Sequence, residues 1–230
     1  MPIAAVPSGS FKPLPDQVLP PAQALEEIAP AGHQDLPSAA AFALARALQE
    51  ARTKADPRPL AFVAEKAWLN EHGHPFGWGC LGLGLAHERL ILVVTARAAE
   101  ALWAFEETLK SSAVFAVIGP VAAPSFVATR RLDFAARAGK AQGLILRPAP
   151  PADLSAARLR WSVAAAPSAP HPLDPRAPGA MRLRAELVRS RTGQGGVFLL
   201  EQDHETHGLR LAAGLADHGL APQPHVLRVA

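Results

Sequence analysis

The chain has 230 residues, 49% of them hydrophobic, a formal net charge of +3 and a single cysteine. That length and apolar content fit one domain with a real core and exclude global disorder. One cysteine, Cys80, excludes an internal disulfide framework, and the mild positive charge permits contact with nucleic acid without arguing for it.

The first 22 residues carry Pro2, Pro7, Pro13, Pro15, Pro20 and Pro21, a density that opposes helix and reads as an extended arm, a candidate for mobility. No basic region followed by an apolar stretch and a small-residue cleavage site opens the chain, so it is expected to be cytoplasmic and not secreted. Residues 23–212 read as one α/β domain. Ala24 to Ile28 is a candidate strand, and Ser38 is the expected N-cap of a long helix that buries Phe42, Leu44, Ala45 and Leu48. Asp56-Pro57 stops it. Leu60 to Ala64 is strand-sized, and a glycine-rich loop from Gly73 to Gly84 follows. Arg89 to Val94 reads as a strand apolar on both faces, as in a parallel sheet covered by helices, and is far too short to span a membrane.

Ala98 to Lys110 has the apolar stripe of a helix, with Glu100, Glu106 and Glu107 on its wet side. Val114 to Ile118 is a buried strand, Ser125 caps a helix closed by Gly139, and Gly143 to Arg147 is the next strand. Alternation of strand and helix over short connections predicts a doubly wound, mostly parallel sheet. Beyond residue 150, Arg158 to Ala164, Met181 to Arg189 and Val197 to Glu201 read as antiparallel strands extending that sheet. Residues 213–230 form an expected frayed tail.

Three places occupy the positions where a nucleotide-binding domain keeps its machinery. A phosphate loop needs G-x-x-x-x-G-K-[ST], because backbone N–H groups wrap the phosphates, Lys neutralises them and the hydroxyl holds magnesium. Here the stretch is Gly32-His33-Gln34-Asp35-Leu36-Pro37-Ser38-Ala39. Gly32 survives, Pro37, Ser38 and Ala39 stand where Gly, Lys and Ser/Thr belong, and Asp35 adds a negative charge. The strand Val114 to Ile118 ends in Gly119-Pro120 where a magnesium-holding Asp is expected. Glu65 could polarise a water, yet without metal and phosphate sites it reads as an ordinary strand end.

The stretch Ala61-Phe62-Val63-Ala64-Glu65-Lys66-Ala67 resembles the strand that carries the catalytic glutamate of the RecA-type core. Ala99 to Trp103, followed by Ser111 to Ile118, resembles its next helix and magnesium strand. More narrowly, the chain resembles the ImuA family of RecA- and SulA-like proteins. The carrying residues are Ala101 to Glu107, Thr129 to Leu132, Leu159 to Val163 with Ala166-Pro167-Ser168, Glu186 to Arg191, and Glu201 to Leu211. This resemblance spans roughly residues 25 to 212. It implies a non-catalytic accessory of damage-induced translesion synthesis, without cofactor or metal. Its implied partners are RecA, an inactive Y-family polymerase homologue and an error-prone polymerase subunit, with DNA a further candidate and no membrane. Two alternatives stay open: a SulA-like inhibitor of another assembling protein, and a residual ATPase using Glu65.

Arg158 with Arg160, Arg182 with Arg184, and Arg189 with Arg191 would each share a face of an extended strand, a candidate patch for phosphates or an acidic partner. Equally, such arginines populate the exposed side of an edge sheet and deter aggregation. Glu201, Asp203, His204, Glu205 and His207 read as a polar hairpin end in preference to a metal site, since no second cluster completes one. Trp68, Trp78, Trp103 and Trp161 are expected to be core or half-buried, with Trp103 the alternative partner anchor.

Overall fold

The computed structural model describes residues 19–121, 124–149, 154–174, 176–190, 195–203 and 205–212. The proline-rich stretch before residue 19, Arg191, His204 and the tail from residue 213 lie outside them. The described strands form a nine-stranded sheet in the order β3-β2-β4-β5-β1-β6-β7-β8-β9. The fold is α/β, as expected. Parallel pairing joins β3 (Leu90–Thr95), β2 (Leu60–Glu65), β4 (Ala116–Pro120), β5 (Gln142–Leu146), β1 (Leu25–Pro30) and β6 (Leu159–Ala166). Antiparallel pairing adds β7 (Arg182–Ser190), β8 (Gly196–Gln202) and β9 (Leu209–Leu211).

Helices cover both faces because neighbouring strand residues point opposite ways. Ile28, Phe62, Ile118 and Trp161 meet α1 (Leu36–Thr53), α2 (Lys66–His72) and α3 (Gly77–Gly82) through Phe42, Leu48, Leu69 and Cys80. Leu25, Val63, Val117 and Ile145 meet α4 (Ala98–Lys110) and α5 (Phe126–Gly139) through Phe105, Leu109 and Leu132. Cys80 is buried, and burial pushes its thiol above the ordinary value, the condition of an unreactive packing residue.

β1 runs through the middle of the sheet although it carries two adjacent carboxylates, Glu26 and Glu27, both buried. Each has an arginine. Glu26 accepts from Arg46 Nε at 3.0 Å, Trp161 Nε1 at 2.8 Å, Gln142 Nε2 at 3.2 Å and the Gln23 backbone N–H at 2.8 Å. Arg46 also lies 5.3 Å from the Trp161 ring centroid and donates to the Pro20 carbonyl at 2.8 Å. Glu27 pairs with Arg160 at 3.1 Å.

Four expectations change. α1 begins at Leu36, two residues before Ser38, because Pro37 fits the first turn, where its missing N–H has no helical partner to lose. β3 is an edge strand, not a covered one: Ile91, Leu92 and Val94 are 44%, 39% and 48% exposed. Apolarity on both faces does not distinguish the centre of a sheet from its rim. Ser125 caps α5 through the Ala128 N–H at 3.2 Å, but the left-handed residue closing that helix is Lys140, not Gly139. Gly139 is required by close approach, since a Cβ there would lie 1.7 Å from the Leu109 carbonyl oxygen of α4. Finally, Trp78 and Trp103 are exposed, while Trp161 is core.

Candidate functional site

The carboxyl ends of the parallel strands open into a cavity of about 700 Å³. Its wall includes Pro30, Glu65 and Pro120 at the ends of β1, β2 and β4, Val121 after β4, Arg147 after β5, and Ser125 and Ala128 of α5. Open α/β sheets bind ligands at this end, where helices depart to opposite faces. A second, more apolar cavity of about 630 Å³ lies between α1, α2 and α3, with Phe62, Trp68, Phe76 and Leu83 in its wall. His33, Leu36, Trp68, Glu71 and His72 line both, so the two cavities adjoin.

The loop from Gly32 to Ala39 borders this trough without forming an open cradle. Gly32 is extended, His33 to Asp35 makes one 3-10 turn, and the helix starts immediately after. Asp35 is buried. One of its carboxylate oxygens accepts the Gly32 N–H at 3.0 Å, and the other accepts the Ala165 N–H of β6 at 2.9 Å. The protein's own carboxylate thus occupies the backbone donor at the head of the loop. Replacing Asp35 by alanine should cost about 1–2 kcal/mol in urea denaturation, because two part-buried N–H groups lose a charged acceptor. Asp35→Asn should cost less.

Gly119 lies in β4 pressed against β2. A Cβ at this position would stand 2.2 Å from the Val63 carbonyl oxygen and 3.3 Å from the Phe105 ring, so no side chain fits there. Glu65 is half-buried at the start of α2 and makes no side-chain cap to that helix. Arg147 is buried at the end of β5, its backbone N–H bonded to the Ile28 carbonyl at 2.8 Å. Neither the Asp35 lock nor the Arg147 position is evident from spacing alone. The short helix α3 falls within the expected glycine-rich loop and α2 just before it, and Trp68, Leu69 and His72 at helical spacing are the signal that gives α2 away.

The arginine strands do not come together as one positive face. Arg160 is buried against Glu27, a correction with a clear cause: β6 lies parallel to β1 in the interior of the sheet, and their register sets Arg160 directly beside Glu27. Arg158 is half-buried beside β1. Arg182 is held by Glu201 at 2.7 Å, and Arg184 by Glu186 at 3.0 Å. Arg189 is exposed, and Arg191 lies outside the described residues. Asp203 closes a turn by accepting the N–H groups of Glu205 and Thr206, and no group of three metal-ligating side chains occurs among the described residues.

Glu201 sits between Arg182 and Arg210, 2.7 and 2.9 Å away. Burial pushes its carboxyl up, but the two guanidinium hydrogen bonds outweigh burial and hold it below the usual carboxylate range. Glu106, expected on the wet side of α4, is instead buried, and its carboxyl is depressed in the same way, burial opposing and Lys110 and Arg131 prevailing. A depressed folded pKa stabilises fully above the unfolded value and is lost as pH falls through the folded one. The urea midpoint should therefore hold from neutrality to about pH 5 and fall below about pH 4. Glu201→Gln should lower the neutral plateau and make the acid-side fall shallower.

Two strains of Caulobacter vibrioides have relatives described as Protein ImuA, 34% identical over 208 residues, covering 85% of this chain and 82% of theirs. The chain belongs to the ImuA family. No protein-family model matches it. Among solved structures, the ImuA-family chain matches SulA from Pseudomonas aeruginosa at 28% identity and a TM-score of 0.39, over 54% of this chain and 97% of that one. No helix among the described residues of this ImuA-family chain is long and apolar enough to cross a membrane.

Proposed function

We propose that the protein is a non-catalytic accessory of damage-induced, error-prone translesion synthesis, acting in the cytoplasm by binding other proteins. Its partners in this reading are RecA, an inactive Y-family polymerase homologue and an error-prone polymerase subunit, with DNA as a further candidate. Family membership supports the pathway. The observation that carries the non-catalytic reading is Asp35, whose carboxylate takes the Gly32 N–H inside the loop that would otherwise receive phosphate. Gly119 reinforces it, because phosphoryl transfer needs magnesium held beside the phosphates and no ligand side chain fits at that position.

The test is genetic. In the source bacterium, deleting the gene should reduce damage-induced mutation frequency to the uninduced level, and the wild-type chain should restore it. Glu65→Gln should restore it equally. Failure of a well-folded Glu65→Gln protein to complement would establish dependence on hydrolysis and overturn the reading.

A further inference from the structure

The outward side of α4 and α5 exposes three large apolar side chains by more than half, Trp103, Val127 and Phe134, at 62%, 66% and 63%, and Phe126 at the head of α5 is 43% exposed. Each belongs to a helix whose opposite side is well packed, through Ala101, Phe105 and Leu109 on α4 and Leu132, Ala135 and Ala136 on α5. Folding therefore does not use the exposed three. Val127 and Phe134 are seven residues apart, two turns and about 10 Å along one side of α5. Arg131 lies between them and pairs with Glu106 of α4, which ties the two helices into one surface.

Charge around these side chains is uneven. The exposed charged residues of α5 are Arg130, Arg131 and Arg137, while its one acid, Asp133, is buried. Arg130 lies 5.9 Å from the ring centroid of Phe126, and Arg137 holds Asp133 at 2.7 Å. α4 carries three glutamates against one lysine and α5 three arginines against one aspartate, so the pair is neutral overall. A cationic row one helix wide, flanked by Glu107 and containing an aliphatic side chain, suits a polyanion poorly. It suits a protein helix with an apolar stripe and carboxylates along one border.

We propose that the outward face of α4 and α5 docks an acidic amphipathic helix of a protein partner. The partner's apolar stripe covers Val127, Phe134 and Trp103, and its carboxylates meet Arg130, Arg131 and Arg137. This assignment rests on the proposed function, which supplies the candidate partners, and adds the surface and the chemistry they must present.

The test uses the full-length chain with purified RecA and purified polymerase homologue from the same bacterium, and separately a single-stranded oligonucleotide. Val127→Ser/Phe134→Ser should keep the wild-type melting temperature, since both side chains are exposed, and should bind one of the two proteins at least about tenfold more weakly. Arg130→Glu should weaken the same complex, and Arg130→Lys should retain it. If the wild type binds and Val127→Ser/Phe134→Ser binds equally well, the proposed function stands and this surface is wrong. If the wild type binds neither protein, the proposed function fails and the docking surface falls with it. Loss of oligonucleotide binding alone in the double variant would mark a nucleic-acid surface instead and overturn the protein assignment.

Discussion

Replacing Glu26 with alanine should destabilise the protein by about 3–5 kcal/mol, the cost of removing one partner from a buried ion pair. The carboxylate is fully buried on the central strand and is shared by Arg46, Trp161, Gln142 and the Gln23 backbone. Removing it strands the Arg46 guanidinium, whose side chain is 5% exposed, with only the Pro20 carbonyl and the Trp161 ring for company. Glu26→Gln keeps an acceptor but loses the charge, so it should fall between wild type and alanine. Urea unfolding followed by tryptophan fluorescence measures both, because Trp161 reports from the damaged site. A loss below 1 kcal/mol for alanine would mean that water reaches Arg46 and that this network contributes little.

Introducing aspartate at Gly119 should have an effect at least as large. Its Cβ would have to displace the Val63 carbonyl of the neighbouring strand, inside the sheet. The expected loss exceeds about 4 kcal/mol, enough to prevent recovery of folded protein from a marginally stable domain. Gly119→Ala should already be severe. For the same reason, rebuilding the loop as Pro37→Gly/Ser38→Lys/Ala39→Thr should not produce magnesium-dependent ATP turnover. The metal-holding side chain has no room on β4, and Asp35 still takes the Gly32 N–H. Turnover in the rebuilt loop variant that is abolished by Glu65→Gln would contradict this account of the site.

Much of the fold was legible because periodicity and punctuation agreed. The apolar runs at Leu60, Val114 and Gly143, the helix stripe at Ala101, Phe105 and Leu109, and the Ser125 cap all describe local chemistry that the tertiary structure keeps. What was not legible depends on pairing across the chain. Arg160 reads as half of an exposed pair until β6 pairs with β1 and sets it beside Glu27, a contact more than 130 positions away. β3 reads as interior because nothing in its own composition reports that no strand lies beyond it. Asp35 reads as a charge that repels phosphate. Its bonds to Gly32 and Ala165 appear only once β6 lies beside the loop.

In the proposed function the chain acts by binding other proteins after DNA damage. The most direct measurement is recovery of the tagged full-length chain from damaged cells, with and without nuclease, and identification of what accompanies it. The account predicts that RecA and the polymerase homologue are recovered and remain after nuclease treatment. Recovery of neither, or of a cell-division protein in their place, would contradict it.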